Sequence, residues 1–84
     1  MRTILVTGGA GFIGSHLAEA VVAAGDRVVA VDDLSTGSFR NVAHLSAGPS
    51  FELVVAGVED DQTLEGLVRQ ADVVYHLAAA VVDS

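Results

Sequence analysis

Thr7-Gly8-Gly9-Ala10-Gly11-Phe12-Ile13-Gly14-Ser15-His16-Leu17 follows the apolar run Ile4-Leu5-Val6 and leads into apolar residues at helical spacing, Ile13, Leu17, Val21 and Ala24. The run reads as a buried β-strand stopped by a glycine turn, and the spacing that follows reads as a helix of about three turns. Gly8, Gly11 and Gly14 stand three apart at this strand-to-helix junction. A pyrophosphate would lie there against backbone N–H groups at the positive end of the helix. Gly8 would permit the tight turn, Gly11 the approach of backbone to phosphate, and Gly14 close packing of helix on strand. The same triplet also suits a tight turn that binds nothing, so its context has to decide.

Working outward, Gly25 sits where a left-handed cap would end the helix. Arg27-Val28-Val29-Ala30-Val31 reads as a second strand, closed by Asp32-Asp33. Residues 34–48 form a polar connection with one helical turn near 39–45. A third strand is expected over 51–56, then Asp60 as N-cap of a second amphipathic helix carrying Leu64, Leu67, Val68 and Ala71 despite Gly66. Residues 72–77 make the fourth strand. Right-handed crossovers turn this order into a parallel sheet of about four strands, order 3-2-1-4, with flanking helices: an α/β, partial Rossmann fold. The uninterrupted apolar runs predict strands buried on both faces.

Asp32 ends the second strand 18 residues after Gly14, where an acidic side chain accepts hydrogen bonds from the hydroxyls of an adenosine ribose. The alternative is an aspartate that caps a turn at a strand end. Asp32 and Asp33 together would repel a 2′-phosphate, and no Arg follows them immediately, which favours NAD over NADP; Arg40 is the countervailing charge. With so few cations in the chain, backbone amides and the helix dipole would carry the phosphate charge, assisted by the Ser15 hydroxyl.

The remaining composition narrows the field. Half of the 84 residues are hydrophobic (51%) and 18% are charged, which excludes a disordered chain. The length falls below the usual range for one domain, so the chain is expected to be a piece whose apolar surface awaits a neighbour. A net charge of −7, from four Arg, no Lys and eleven acidic residues, argues against nucleic-acid and anionic membrane partners. Without cysteine there is neither a disulfide framework nor a thiolate metal site. The apolar stretches are too short for a signal peptide or a membrane span, so a soluble, cytoplasmic protein is expected. The apolar fourth strand and the residues after it, 73–82, would leave an open edge through which copies self-associate.

The three histidines match no metal-ligand spacing. His16 reads as a solvated helix residue, His44 as a loop residue, and His76 as a hydrogen-bonded core residue. Glu59-Asp60-Asp61 reads as charge complementing a helix N-terminus, and Tyr75 as a packing residue of the fourth strand.

Taken together, the glycine segment 7–17, Asp32-Asp33-Leu34-Ser35-Thr36-Gly37 and His76-Leu77-Ala78-Ala79 closely resemble the extended short-chain dehydrogenase/reductases, in particular the NAD-dependent sugar-nucleotide epimerase/dehydratase family. The resemblance implies that Gly8, Gly11, Phe12, Ile13 and Gly14 line the pyrophosphate of NAD. Asp32, Asp33, Ser35, Thr36 and Gly37 would surround the adenosine ribose, and Leu77, Ala78 and Ala79 would approach the nicotinamide half. Where the family usually carries Gly-Asp after the third strand, this chain has Ala56-Gly57. Adenine affinity is expected to fall, with the Val58 backbone as the remaining contact. The family's catalytic Ser or Thr with Tyr-x-x-x-Lys is not found, since the chain has no Lys and Tyr75 is followed four residues later by Ala79. The resemblance therefore implies the NAD-binding portion of an epimerase, 4,6-dehydratase or decarboxylase acting through transient sugar oxidation. Its catalytic and sugar-nucleotide-binding part would lie beyond residue 84. A non-catalytic NAD-binding module or regulator of the same fold, and a silent truncated fragment, stand as alternatives.

Overall fold

The computed structural model describes residues 1–35, 37–57 and 59–77. Strands β1 (Thr3–Thr7), β2 (Arg27–Asp32), β3 (Phe51–Val55) and β4 (Val73–His76) form one parallel sheet in the order β3-β2-β1-β4, as expected. Helix α1 (Phe12–Ala23) connects β1 to β2. A 3-10 turn at Phe39–Asn41 and the short helix α2 (Ala43–Ser46) lead into β3, and α3 (Asp61–Gln70) connects β3 to β4.

The central strands have no polar face because both of their faces are covered. Ile4 and Val6 of β1 share one side of the sheet with Val28 and Ala30 of β2; Leu5 shares the other with Val29 and Val31. The first side is covered by Ala18 of α1 and by Val42, with Leu17, Val21, Val22 and Leu45 around them. The second is covered by Leu64, Leu67 and Ala71. The face that α1 buries is made of the small residues Gly14, Ser15 and Ala18, which let the helix lie close to the sheet. Ile13, expected on the packed stripe, is instead 71% exposed at the helix start.

Local signals account for the helix ends. Gly25 takes φ +93° and donates its N–H to the Val22 carbonyl at 3.0 Å, the left-handed termination expected of glycine. The Asp60 carboxylate caps α3, accepting the Thr63 N–H at 3.2 Å and the Thr63 hydroxyl at 2.9 Å.

The edge strand departs from expectation. Burial on both faces holds for β1 and β2, but Val74 and Tyr75 of β4 are each 43% exposed. Tyr75 is thus no packing residue. His76 shares a hydrogen bond of 2.7 Å with the Thr7 hydroxyl, yet lies exposed rather than in the core. The reason is position: among the described residues β4 pairs only with β1, and α1 and α3 lean on the middle of the sheet.

Candidate functional site

The carboxyl ends of β1 and β2 carry the glycine turn. Gly8 takes φ +74°, a left-handed conformation that side chains disfavour. Its N–H donates to the Val31 carbonyl at 2.7 Å, so the turn leaves β1 while still tied to β2. A Cβ on Gly14 would strike the Gly8 carbonyl oxygen and stand 2.9 Å from the Gly9 Cα. Gly11 differs: its φ is −75°, and among the described residues a Cβ there would meet only the Gly8 oxygen, at an ordinary 3.4 Å. Among the described residues, backbone and packing require glycine at 8 and 14 and give no such reason at 11. Gly11 is also the N-cap of α1, which has no side-chain cap and no acidic residue in its first turn. The first N–H groups of a helix have no acceptor within it, so this end is electropositive and its N–H groups are uncapped by any side chain.

The loop after β2 is laced to the glycine turn. Asp32, 8% exposed, accepts the Ala10 N–H on Oδ2 at 2.9 Å and the Leu34 N–H on Oδ1 at 2.8 Å. Asp32 thus caps the turn that follows β2 and braces the glycine turn at the same time. Leu34 itself takes φ +64°. Asp33 Oδ1 accepts the Ser35 N–H at 2.9 Å and the Ser35 hydroxyl at 2.7 Å, which hold the Asp33 carboxyl below its ordinary pKa. Gly37 passes so near the turn that a Cβ would stand 2.8 Å from the Ala10 carbonyl carbon and 2.9 Å from Asp32 Oδ2. The Ala10 carbonyl accepts two donors from this loop, the Ser38 N–H at 3.1 Å and the Asn41 side-chain amide at 2.8 Å.

The structure thus gathers Gly8, Gly11, Phe12, Ile13, Gly14, Asp32, Asp33, Ser35 and Gly37 at one end of the sheet. Phe12 and Ile13 are 77% and 71% exposed there. Leu77 joins them, donating its N–H to the Thr7 carbonyl at 3.1 Å. Thr36, Val58, Ala78 and Ala79 lie outside the described residues. The Ser15 hydroxyl, expected to assist with phosphate charge, instead donates to the Phe12 carbonyl at 2.9 Å, because the residue faces the sheet and is 7% exposed. His16 is exposed as expected, donating from Nδ1 to the Phe12 carbonyl at 2.7 Å. His44, expected in a loop, stands on α2 and donates from Nε2 to Glu19 of α1 at 2.8 Å.

Gly9, Ala10, Ser38 and Asn41 were not singled out by sequence reasoning. Gly9 alone carried a signal, as the one glycine of the motif outside the triplet. A bond from Asn41 to a backbone carbonyl 31 positions earlier has no local signature.

Comparison with known proteins agrees with this geometry. A family model described as GDP-mannose 4,6 dehydratase matches residues 5–83. UDP-glucuronic acid decarboxylase 1 of Arabidopsis thaliana is 43% identical over 75 residues, covering 89% of this chain and 16% of its own length. UDP-glucose 4-epimerase of Mycolicibacterium smegmatis is 45% identical over 83 residues, covering 96% of this chain and 26% of its own. Among solved structures, the Bordetella bronchiseptica enzyme WbmH in complex with NAD+ superposes with a TM-score of 0.85 at 34% identity, over 99% of this chain and 27% of that one. The chain thus spans about a sixth to a quarter of the length of these relatives. With the sheet order, the glycine turn and the acidic loop in place, it belongs to the NAD-dependent sugar-nucleotide epimerase/dehydratase family.

Proposed function

We propose that the glycine turn and the acidic loop of this chain bind NAD, as the NAD-binding portion of an enzyme that epimerises, dehydrates or decarboxylates a sugar nucleotide. The observation that carries the reading is Gly11: it stands at the N-cap position of a helix with no side-chain cap, and no contact among the described residues requires it to be glycine. In this reading Gly8, Gly11, Phe12, Ile13 and Gly14 line the pyrophosphate, whose charge meets the helix N–H groups. Asp32, Asp33, Ser35, Thr36 and Gly37 surround the adenosine ribose. Among the described residues each Asp32 oxygen accepts one N–H, and an ionised carboxylate oxygen has a second lone pair that a ribose hydroxyl would use. The Val58 backbone serves adenine, and Leu77, Ala78 and Ala79 meet the nicotinamide half. The acidic pair disfavours the 2′-phosphate of NADP.

Transient oxidation of the sugar is the chemistry NAD supplies when bound. This chain's residues bind and orient it; with no Lys, and Tyr75 exposed on β4, they include no Tyr-x-x-x-Lys pair to move a proton. A cytoplasmic setting is part of the proposal. Among the described residues no helix is long and apolar enough to cross a membrane. We also propose that copies associate through β4, whose outer edge pairs with no described strand and whose Val74 and Tyr75 are exposed.

Calorimetric titration of NAD and NADP into the chain and into Gly11→Ala tests the cofactor reading. The substitution is expected to lower NAD affinity by about tenfold or more while moving folding stability by less than about 1 kcal/mol. Unchanged affinity in Gly11→Ala, or no NAD binding by the folded chain, would refute it.

A further inference from the structure

Resting on the reading of this site as a NAD site, we infer that Asn41 is a positioning residue for the dinucleotide: its side-chain amide holds the Ala10 carbonyl turned away from the pyrophosphate. A pyrophosphate bound at the start of α1 is attracted by N–H groups and repelled by carbonyl oxygens. Within the glycine turn the Ala10–Gly11 peptide is held on its N–H side alone, by the Gly11 N–H to the Gly8 carbonyl at 3.2 Å, and its carbonyl side takes its donors from elsewhere. The loop after β2 supplies them.

The Ala10 carbonyl accepts Asn41 Nδ2–H at 2.8 Å and Ser38 N–H at 3.1 Å, which occupies both of its lone pairs. On the other side of the same residue, the Ala10 N–H is held by Asp32 at 2.9 Å. Both peptide groups flanking Ala10 are therefore oriented from the acidic loop, and Ala10 is fully buried between them. Gly37 makes the close approach possible, since a Cβ there would stand 2.8 Å from the Ala10 oxygen. Asn41 is itself held in place: it closes the 3-10 turn through its N–H to the Ser38 carbonyl at 3.0 Å, and the next element, α2, is tied to α1 by the His44–Glu19 contact. The Asn41 bond falls on the Ala10 carbonyl, whereas Asp32, which would face the ribose, holds the Ala10 N–H, so the two side chains act on different peptide groups.

That separation supplies the test. NAD, which carries the pyrophosphate, and adenosine, which does not, are titrated into the full chain and followed by amide NMR. Asn41→Ala and the size-matched Asn41→Leu are expected to weaken NAD by about five- to tenfold and to leave adenosine within about twofold of the original chain. In the original chain, NAD is expected to shift the Asn41 side-chain amide and the Ser38 backbone amide, a readout that stands even if a variant does not fold. NAD affinity unchanged in the variants overturns the inference, as does equal weakening of both ligands, or Asn41 and Ser38 amides that stay put at NAD saturation. Failure of the original, folded chain to bind NAD removes the cofactor reading and this inference together. A chain that binds NAD with variants that bind it equally well removes the inference alone.

Discussion

An alanine at position 9 would place its Cβ 2.5 Å from the Ala30 Cβ, with Ala30 Cα and the Val6 oxygen each at 3.2 Å. A Cβ has no rotamer by which to escape, and two of the three neighbours are backbone of the central strands. Gly9→Ala is therefore expected to cost about 1–3 kcal/mol by overpacking, read from the urea midpoint at constant slope. That contrasts with Gly11→Ala, which is expected to spare the fold and lose the ligand. A loss below about 0.5 kcal/mol at position 9 would mean that the turn yields without cost. Asp33 makes a different prediction. The Ser35 N–H and hydroxyl bond its ionised form, and the Arg2 N–H and guanidinium do the same for Asp26, so both carboxyls sit below their ordinary pKa. With the folded pKa lowered, the stabilisation is present above the ordinary carboxylate range and is lost as pH falls through the lowered values. Carboxyl-carbon NMR should find Asp33 titrating below an unstructured aspartate, and Ser35→Ala should return it toward the ordinary value. No difference between the two proteins would place Ser35 away from Asp33 in solution.

The two long helices begin in opposite ways, and the difference tracks their surroundings. Helix α3 starts in solvent, with Asp60 as cap and Asp61 in its first turn, so its orphan N–H groups are served from within the chain. Helix α1 begins at the glycine turn with neither cap nor acid. For α3, removal of the cap by Asp60→Ala is expected to cost about 1 kcal/mol. Gly66→Ala, where a Cβ would meet nothing within 4 Å, is expected to stabilise by about 0.5–1 kcal/mol through backbone entropy. Chemical denaturation reads both. A Gly66→Ala variant that is less stable than the parent would show the outer face of α3 to be covered in solution.

At the scale of the molecule, the proposed association of copies concerns one edge of the sheet. Among the described residues, the outer edge of β4 pairs with no strand and lies beside the half-exposed Val74 and Tyr75, against a net charge of −7 that would keep copies apart. Association through this edge should grow with protein concentration and with salt, which screens the repulsion. Tyr75→Lys, placing a charge on the edge strand, should reduce it. Sedimentation velocity across concentration and ionic strength checks this, and a single monomeric boundary throughout would end the proposal of self-association.

The element order and sheet order were legible in the sequence because they rest on local patterns. Ile4-Leu5-Val6 and Val28-Val29-Ala30-Val31 are uninterrupted because both their faces are covered. Gly25 and Asp60 mark helix ends by their own conformational preferences, and Gly8 marks the left-handed turn. The tertiary structure alone decided what the polar residues of the site hold. Asp32 has its oxygens on the Ala10 and Leu34 amides, Ser15 turns to its own helix, and Asn41 reaches back 31 positions to Ala10. It also decided that His76 and Tyr75 are exposed, since an edge strand and a central strand share one apolar pattern. The physical reason is common to all of these. Hydrophobic period and backbone preference act within a few residues and leave their mark on composition, whereas a hydrogen bond between distant segments depends on where the packed sheet and helices bring them together.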